Sequence, residues 1–163
     1  MSDKDRRNRA LGEAIRFEMD GRDFFLRAAE QTKNYFGKLM FETIAEDELD
    51  HVKRVREIYH RWSDSGKWVS PPRVFEKKDL ENIFQEAKEQ IPKRVTVGTD
   101  EMEAVRLAIQ MEMKGRQFYS RLAEEATEEA ETGFYRLLAE EESQHLSILQ
   151  EMEKVLMQSS GLE

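Results

Sequence analysis

"FETIAEDELDHVKRVREIYHRW", residues 41–62, decides how this chain folds. Phe41, Ile44, Val52, Val55, Ile58 and Trp62 recur at steps of three and four and draw one apolar stripe along an amphipathic helix. Glu48 and His51 fall on that same stripe. A carboxylate and an imidazole therefore stand where core residues belong, three positions apart and so on one helix face.

Outward from this stretch, four periodic segments cover 7–31, 36–62, 100–126 and 131–158, each about 25 residues and on the order of 37 Å long as a helix. Short breaks near Asn34 and near Thr127 predict two antiparallel hairpins, 7–62 and 100–158. Asp100 with Glu103 reads as a capping box for the third helix, and Gly66, Pro71 and Pro72 close the second. Between the hairpins, residues 63–99 are too long for a turn; 79–91 has helical composition and Pro92 ends it. A connection of that length can run back along the whole bundle, which predicts that the second and third helices lie parallel. The expected fold is an all-α four-helix bundle with one long crossover, a single domain over 1–163.

Composition agrees with this reading: 39% of residues are hydrophobic and 37% charged, with only 3 prolines, as solvated helices require. A net charge of -8 argues against nucleic acid and against an anionic membrane surface as partners. The absence of cysteine excludes disulfides, thiolate metal sites and thiol chemistry, and suits a reducing compartment. "MSDKDRRNRA" lacks the apolar core of a signal peptide and no apolar run reaches the length of a membrane span, so a cytoplasmic location is expected.

The two halves repeat. Glu18 and Glu112, Gly21 and Gly115, Phe24 and Phe118, Glu48 and Glu142, and His51 and His145 are all separated by 94 residues, so "EMDGRDFF" (18–25) aligns with "EMKGRQFY" (112–119) without a gap. Two similar hairpins packed with pseudo-two-fold symmetry would set equivalent side chains face to face across one core. On the first helix the stripe Leu11, Ala14, Ile15, Glu18, Gly21, Phe25, Ala28 is broken by one glutamate, and on the third Val105, Ala108, Ile109, Glu112, Gly115, Tyr119, Leu122 is broken likewise. On the fourth, Tyr135, Leu138, Leu149, Met152 and Leu156 flank Glu142 and His145, matching the second.

Four carboxylates and two imidazoles then converge at one level of a dry bundle. Buried like charges cost several kcal/mol apiece after relaxation, so something cationic has to neutralise them. Two divalent ions carry the four positive charges that Glu18, Glu48, Glu112 and Glu142 balance, with His51 and His145 completing the shells as neutral ligands. His60 has no repeat partner and is expected to face solvent. Gly21 and Gly115 leave space beside the ligand glutamates; Tyr119 either hydrogen-bonds near the site or is a core tyrosine with an unrelated partner, and Phe25 at the matching position can make no such bond. Asp47 and Glu141, four residues before each histidine, are candidates for the outer shell.

At these six positions the chain resembles the ferritin-like di-iron carboxylate superfamily, and most of all its rubrerythrin-like branch. The resemblance implies a bundle whose first and third helices each give one Glu while the second and fourth each give Glu-x-x-His. By it, Glu48 and Glu142 are bridging carboxylates, Glu18 and Glu112 terminal ones, and His51 and His145 give one nitrogen to each of two iron ions; manganese or zinc also suit such ligands. Rubrerythrins carry a cysteine-bearing rubredoxin domain, which this chain lacks, so electrons are expected from an external donor protein. Gly115 stands where rubrerythrins place a further Glu, leaving a six-ligand pattern similar to that of bacterioferritin-like centres. With no fifth helix to support a cage, a small homo-oligomer is expected rather than a storage shell. The implied activity is reduction of hydrogen peroxide or dioxygen; a ferroxidase or iron-buffering protein is the alternative, and a metal-free structural bundle the third reading.

Overall fold

A computed structural model describes residues 2–68, 89 and 99–160 of the chain. Four α-helices run in the order α1 (Asp3–Gln31), α2 (Tyr35–Ser65), α3 (Thr99–Glu125) and α4 (Glu129–Ser160), and there is no strand among the described residues. The fold is a ferritin-like four-helix bundle. Apart from residue 89, which is helical, the helix expected over 79–91 lies outside the described residues, as do the stops at Pro71, Pro72 and Pro92, and the Asp100 side chain of the capping box is not described either.

Local chemistry sets the helix ends. α1 begins four residues earlier than the periodicity suggests, because Ser2 caps it by accepting a hydrogen bond from the Asp5 amide at 3.1 Å and Asp3 and Asp5 meet the positive end of the helix dipole. α2 is capped by Asn34, whose Oδ1 accepts from the Gly37 amide at 2.7 Å. It ends at Gly66, which sits in the left-handed region at φ 68° where residues bearing a Cβ are disfavoured.

Contacts between the ends fix the topology. At one end, the Lys33 amide and the Asn34 side chain donate to the two oxygens of Glu101 at 2.7 and 2.8 Å, tying the α1–α2 turn to the start of α3. At the other, Arg6 and Arg7 from the start of α1 donate to the buried carboxylate of Glu131 at the start of α4, at 2.8 and 2.9 Å. Thus α1 runs antiparallel to α2 and α3, while α2 and α3 start at the same end and run parallel, as the long connection predicts. Arg7 also lies 4.6 Å over the Trp62 ring, and Trp68, just beyond α2, packs on Phe134 and Tyr135.

The interior divides into two apolar clusters. One gathers Phe25, Phe36, Met40, Phe41, Ile44, Leu149, Met152 and their neighbours; the other gathers Leu11, Ala14, Val55, Ile58, Tyr119, Tyr135 and Leu138 with theirs. Glu18, Glu48, His51, Glu112, Glu142 and His145 are all buried, and along each helix they fall between the stretches that supply the two clusters. No described helix is long and apolar enough to cross a membrane.

Candidate metal centre

Each helix contributes through the stripe that buries it. α1 and α3 carry Glu18 and Glu112 one turn before a glycine, and α2 and α4 carry Glu48 with His51 and Glu142 with His145 at i, i+3, so that both members of each pair point inward. All six sequence-predicted residues come together. Glu18, Glu48, His51 and Glu142 bring one donor atom each within 4.8 Å of one another, and Glu48, Glu112, Glu142 and His145 do the same. Glu48 and Glu142 belong to both groups.

The two imidazoles stack 5.6 Å apart with planes 13° from parallel. His51 Nδ1 lies 3.2 Å from Glu18 and 3.3 Å from Glu142, and His145 Nδ1 lies 3.2 Å from Glu48 and 3.5 Å from Glu112. The Nε2 atoms face the other way, toward Asp47 and Glu141, and the pairing is crossed between hairpins. His145 Nε2 is 2.5 Å from Asp47, while His51 Nε2 is 3.4 Å from Glu141, whose carboxylate accepts from Arg54 at 2.6 Å. At His145 an Nε2 proton given to Asp47 leaves the Nδ1 lone pair facing the cluster, the tautomer a metal ligand needs, whereas His51 Nε2 makes no well-formed hydrogen bond and its Nδ1 lies within hydrogen-bond distance of Glu18.

Tyr119 donates to Glu18 Oε1 at 2.6 Å from within the hydrophobic interior. Phe25 holds the repeat-related position, and Glu112 Oε2 has no hydrogen-bond partner. The site is therefore two-fold in its ligand types and asymmetric in their support. His60 is exposed and takes no part.

Electrostatics follow from crowding these groups in a dry layer. Burial, reinforced by the Glu18 and Glu112 charges, pushes the Glu48 carboxyl well above the usual range, and burial with the Glu112, Glu48 and Glu18 charges does the same to Glu142. For Glu18 burial acts to raise the pKa, yet the His51 charge and hydrogen bonds from its neighbours outweigh it and hold it at about 2. Glu112 is lowered in the same way, burial being overcome chiefly by His145. Burial opposes the imidazolium forms, but the Glu18 charge raises His51 well above 6.5 and the Glu112 charge raises His145 likewise. Asp47 and Glu141 are lowered against their burial by the histidines they face. Burial and mutual repulsion thus favour the protonated forms of Glu48 and Glu142, and the neighbouring carboxylates favour those of His51 and His145.

The residues fit a pair of divalent cations. Glu48 Oε2, Glu112 Oε2, both Glu142 oxygens and His145 Nδ1 are buried without a well-formed hydrogen bond, an arrangement rare in proteins unless a further partner belongs there. Four carboxylates and two nitrogen donors suit hard to borderline metal ions.

A ferritin-like bundle with a buried carboxylate and histidine layer shared between two hairpins defines the class: a candidate two-metal carboxylate protein. Comparison with known proteins narrows it. The rubrerythrin family profile matches residues 9–153, and the chain belongs to the rubrerythrin family. Its buried groups fit a di-iron centre of that family's kind. Among solved structures it is similar to a hypothetical protein from Pyrococcus furiosus, at 23% identity over 94% of this chain and 92% of that one with a TM-score of 0.70, a likeness of fold. No curated protein sequence matches it.

Sequence reasoning singled out Asp47 and Glu141 but not their crossed pairing, and it missed Arg54, Phe17 and Met111. The repeat offers a signal for two of these, since Phe17 and Met111 are themselves 94 residues apart, one step before each glutamate of α1 and α3. Arg54 has no such signal: its repeat partner is the apolar Ile148.

Proposed function

We propose that the chain is a di-iron oxidoreductase that reduces hydrogen peroxide or dioxygen, with electrons from a separate donor protein. The observation that carries this reading is that Glu48 and Glu142 belong to both four-donor groups, the arrangement that lets two ions share ligands. Glu48 and Glu142 would bridge, Glu18 and Glu112 would each close one end, and His51 and His145 would give one nitrogen per ion. When bound, a ferrous pair supplies two electrons together, which is what cleaving an O–O bond without releasing radicals requires.

The chain's own residues do the rest. Asp47 holds the His145 ring in orientation from outside, and Glu141 lies 3.4 Å from His51 Nε2 on the other hairpin. Tyr119 keeps a proton 2.6 Å from Glu18 Oε1, and it keeps it at any working pH because burial and then the Glu18 charge push the phenol well above its usual pKa. The two apolar clusters exclude bulk water, so the charges inside interact strongly. Each peroxide reduced takes up two electrons and two protons and yields two waters.

Elemental analysis of the purified protein followed by stopped-flow mixing tests the proposal. Two iron ions per chain and rapid peroxide turnover with an added electron donor are expected. Stoichiometric oxidation followed by iron release would replace it with an iron-buffering role, and absence of metal uptake would overturn it.

A further inference from the structure

Behind the two imidazoles the repeat breaks. Asp47 and Glu141 are repeat partners, as are His51 and His145, so each ring should find a carboxylate of the opposite hairpin at its Nε2 atom. Only one is firmly held. His145 Nε2 lies 2.5 Å from Asp47 Oδ2, whereas His51 Nε2 is 3.4 Å from Glu141 Oε2 and makes no well-formed hydrogen bond, although the residue is fully buried. Arg54 accounts for the difference. Its Nη2 donates to that same Glu141 oxygen at 2.6 Å, and the position repeat-related to Arg54 is Ile148, which has no donor to draw Asp47 away from His145.

The outer glutamates differ in the same direction. Tyr119 donates its O–H to Glu18 Oε1 at 2.6 Å, while Phe25, at the repeat-related position, carries no hydroxyl to offer Glu112. A proton donor on a ligand oxygen takes up part of the charge that would otherwise face an ion. An anion that accepts the far ring N–H does the reverse: it fixes the imidazole and strengthens its other nitrogen as a ligand. Glu112 and His145 therefore have both advantages, and Glu18 and His51 have neither.

We propose that the two ion positions are unequal: the one bounded by Glu112 and His145 fills first and binds more tightly, and Arg54 keeps the one bounded by Glu18 and His51 weak by holding Glu141 away from His51. The inference rests on the two-metal reading of the site and adds to it an order of filling, with Arg54 as a positioning residue that acts through Glu141. Outer partners of this kind change metal affinity by about 10–100-fold, enough to make one ion resident and the other exchangeable.

The test loads the full chain with one equivalent of cobalt(II), locates the ion by anomalous diffraction, and follows the second equivalent by visible absorption. Repulsion between two cations weakens a second step even in a symmetric site, so the division of the first equivalent between the two positions decides. An excess of about tenfold or more at the position of Glu112 and His145 is expected. Arg54→Ile, which copies the repeat partner, should free Glu141 for His51, bring the division toward equality and tighten the second step, an effect that structural damage does not produce. Asp47→Asn should also level the division, but by weakening the first step, and it keeps the proposal falsifiable if Arg54→Ile fails to fold. Equal division in the unaltered chain, a first ion held mainly beside Glu18 and His51, or either variant folding and dividing the ions as the unaltered chain does, overturns this proposal alone. Uptake of fewer than two ions by the unaltered chain at excess cobalt overturns the two-metal reading together with this one.

Discussion

Alanine placed at each of the two glycines beside the cluster should move stability in opposite directions. In a helix interior, alanine is favoured over glycine by roughly 0.8–1 kcal/mol. At Gly21 nothing cancels that gain, because the new methyl meets Glu48 and Met111 no closer than 3.4 Å. Gly21→Ala should therefore stabilise by up to about 1 kcal/mol, a rise of roughly 2–4 °C in Tm for a chain of this size. At Gly115 the same methyl would stand 2.7 Å from Phe17, and Phe118 and Tyr119 stand behind that ring. Overpacking of this kind costs about 1–3 kcal/mol, which offsets or exceeds the helix propensity. The two variants should differ by about 1–3 kcal/mol, Gly21→Ala being the more stable. Urea and thermal unfolding at matched metal content measure the gap, and Phe17→Leu combined with Gly115→Ala should recover part of the loss. If Gly115→Ala proves as stable as Gly21→Ala, Phe17 does not crowd that position and the difference drawn from it is wrong.

Metal removal should destabilise the protein more at neutral than at mildly acid pH. Glu48, Glu142, His51 and His145 have folded pKa values above their ordinary values of 4.5 and 6.5, so the stability they contribute to the metal-free chain is fully present below those values and declines as pH rises through the folded ones. Glu18, at about 2, and Glu112 act oppositely, and their contribution is lost as pH falls below 4.5, so the metal-free Tm should peak between the two limits; a metal-free form as stable as the loaded one at pH 7 would contradict this. Binding of divalent ions should release protons, because ligation needs Glu48, Glu142, His51 and His145 deprotonated and their surroundings raise all four pKa values; calorimetry in buffers of differing ionisation enthalpy would detect it, and release of none would contradict the charge balance. Glu142→Ala should abolish paired-metal occupancy, and two ions retained per chain would show that the residue is not shared between them. Glu131→Ala should cost up to about 3–5 kcal/mol in urea unfolding, since it removes the buried anion of Arg6 and Arg7 and leaves the buried Arg7 only the exposed Glu128, whereas Glu153→Ala at the exposed pair with Arg106 should cost under about 1 kcal/mol.

Helical periodicity is a local property, and so is a repeat, which is why the four helices, their inward stripes and the six cluster residues could be read from the chain before folding. Glu48 and His51 announce themselves because they interrupt a stripe, and their copies at Glu142 and His145 repeat the interruption in register. The pattern names a face of a helix, but it does not say which atom on the opposite helix that face will meet. Only the packing of α2 against α4 crosses Asp47 to His145 and Glu141 to His51, because the partners lie 98 and 90 residues apart in the chain and no local rule relates them. The same packing brings Arg54 to Glu141, and the packing of α1 against α3 sets Phe17 hard against Gly115 while leaving Gly21 room for a methyl group beside Glu48 and Met111. Composition and spacing thus determined what enters the buried layer, since each helix must choose its inner face on its own; packing decided how that layer is braced and which of its flanks is crowded, since those depend on shapes that exist only once the helices have met.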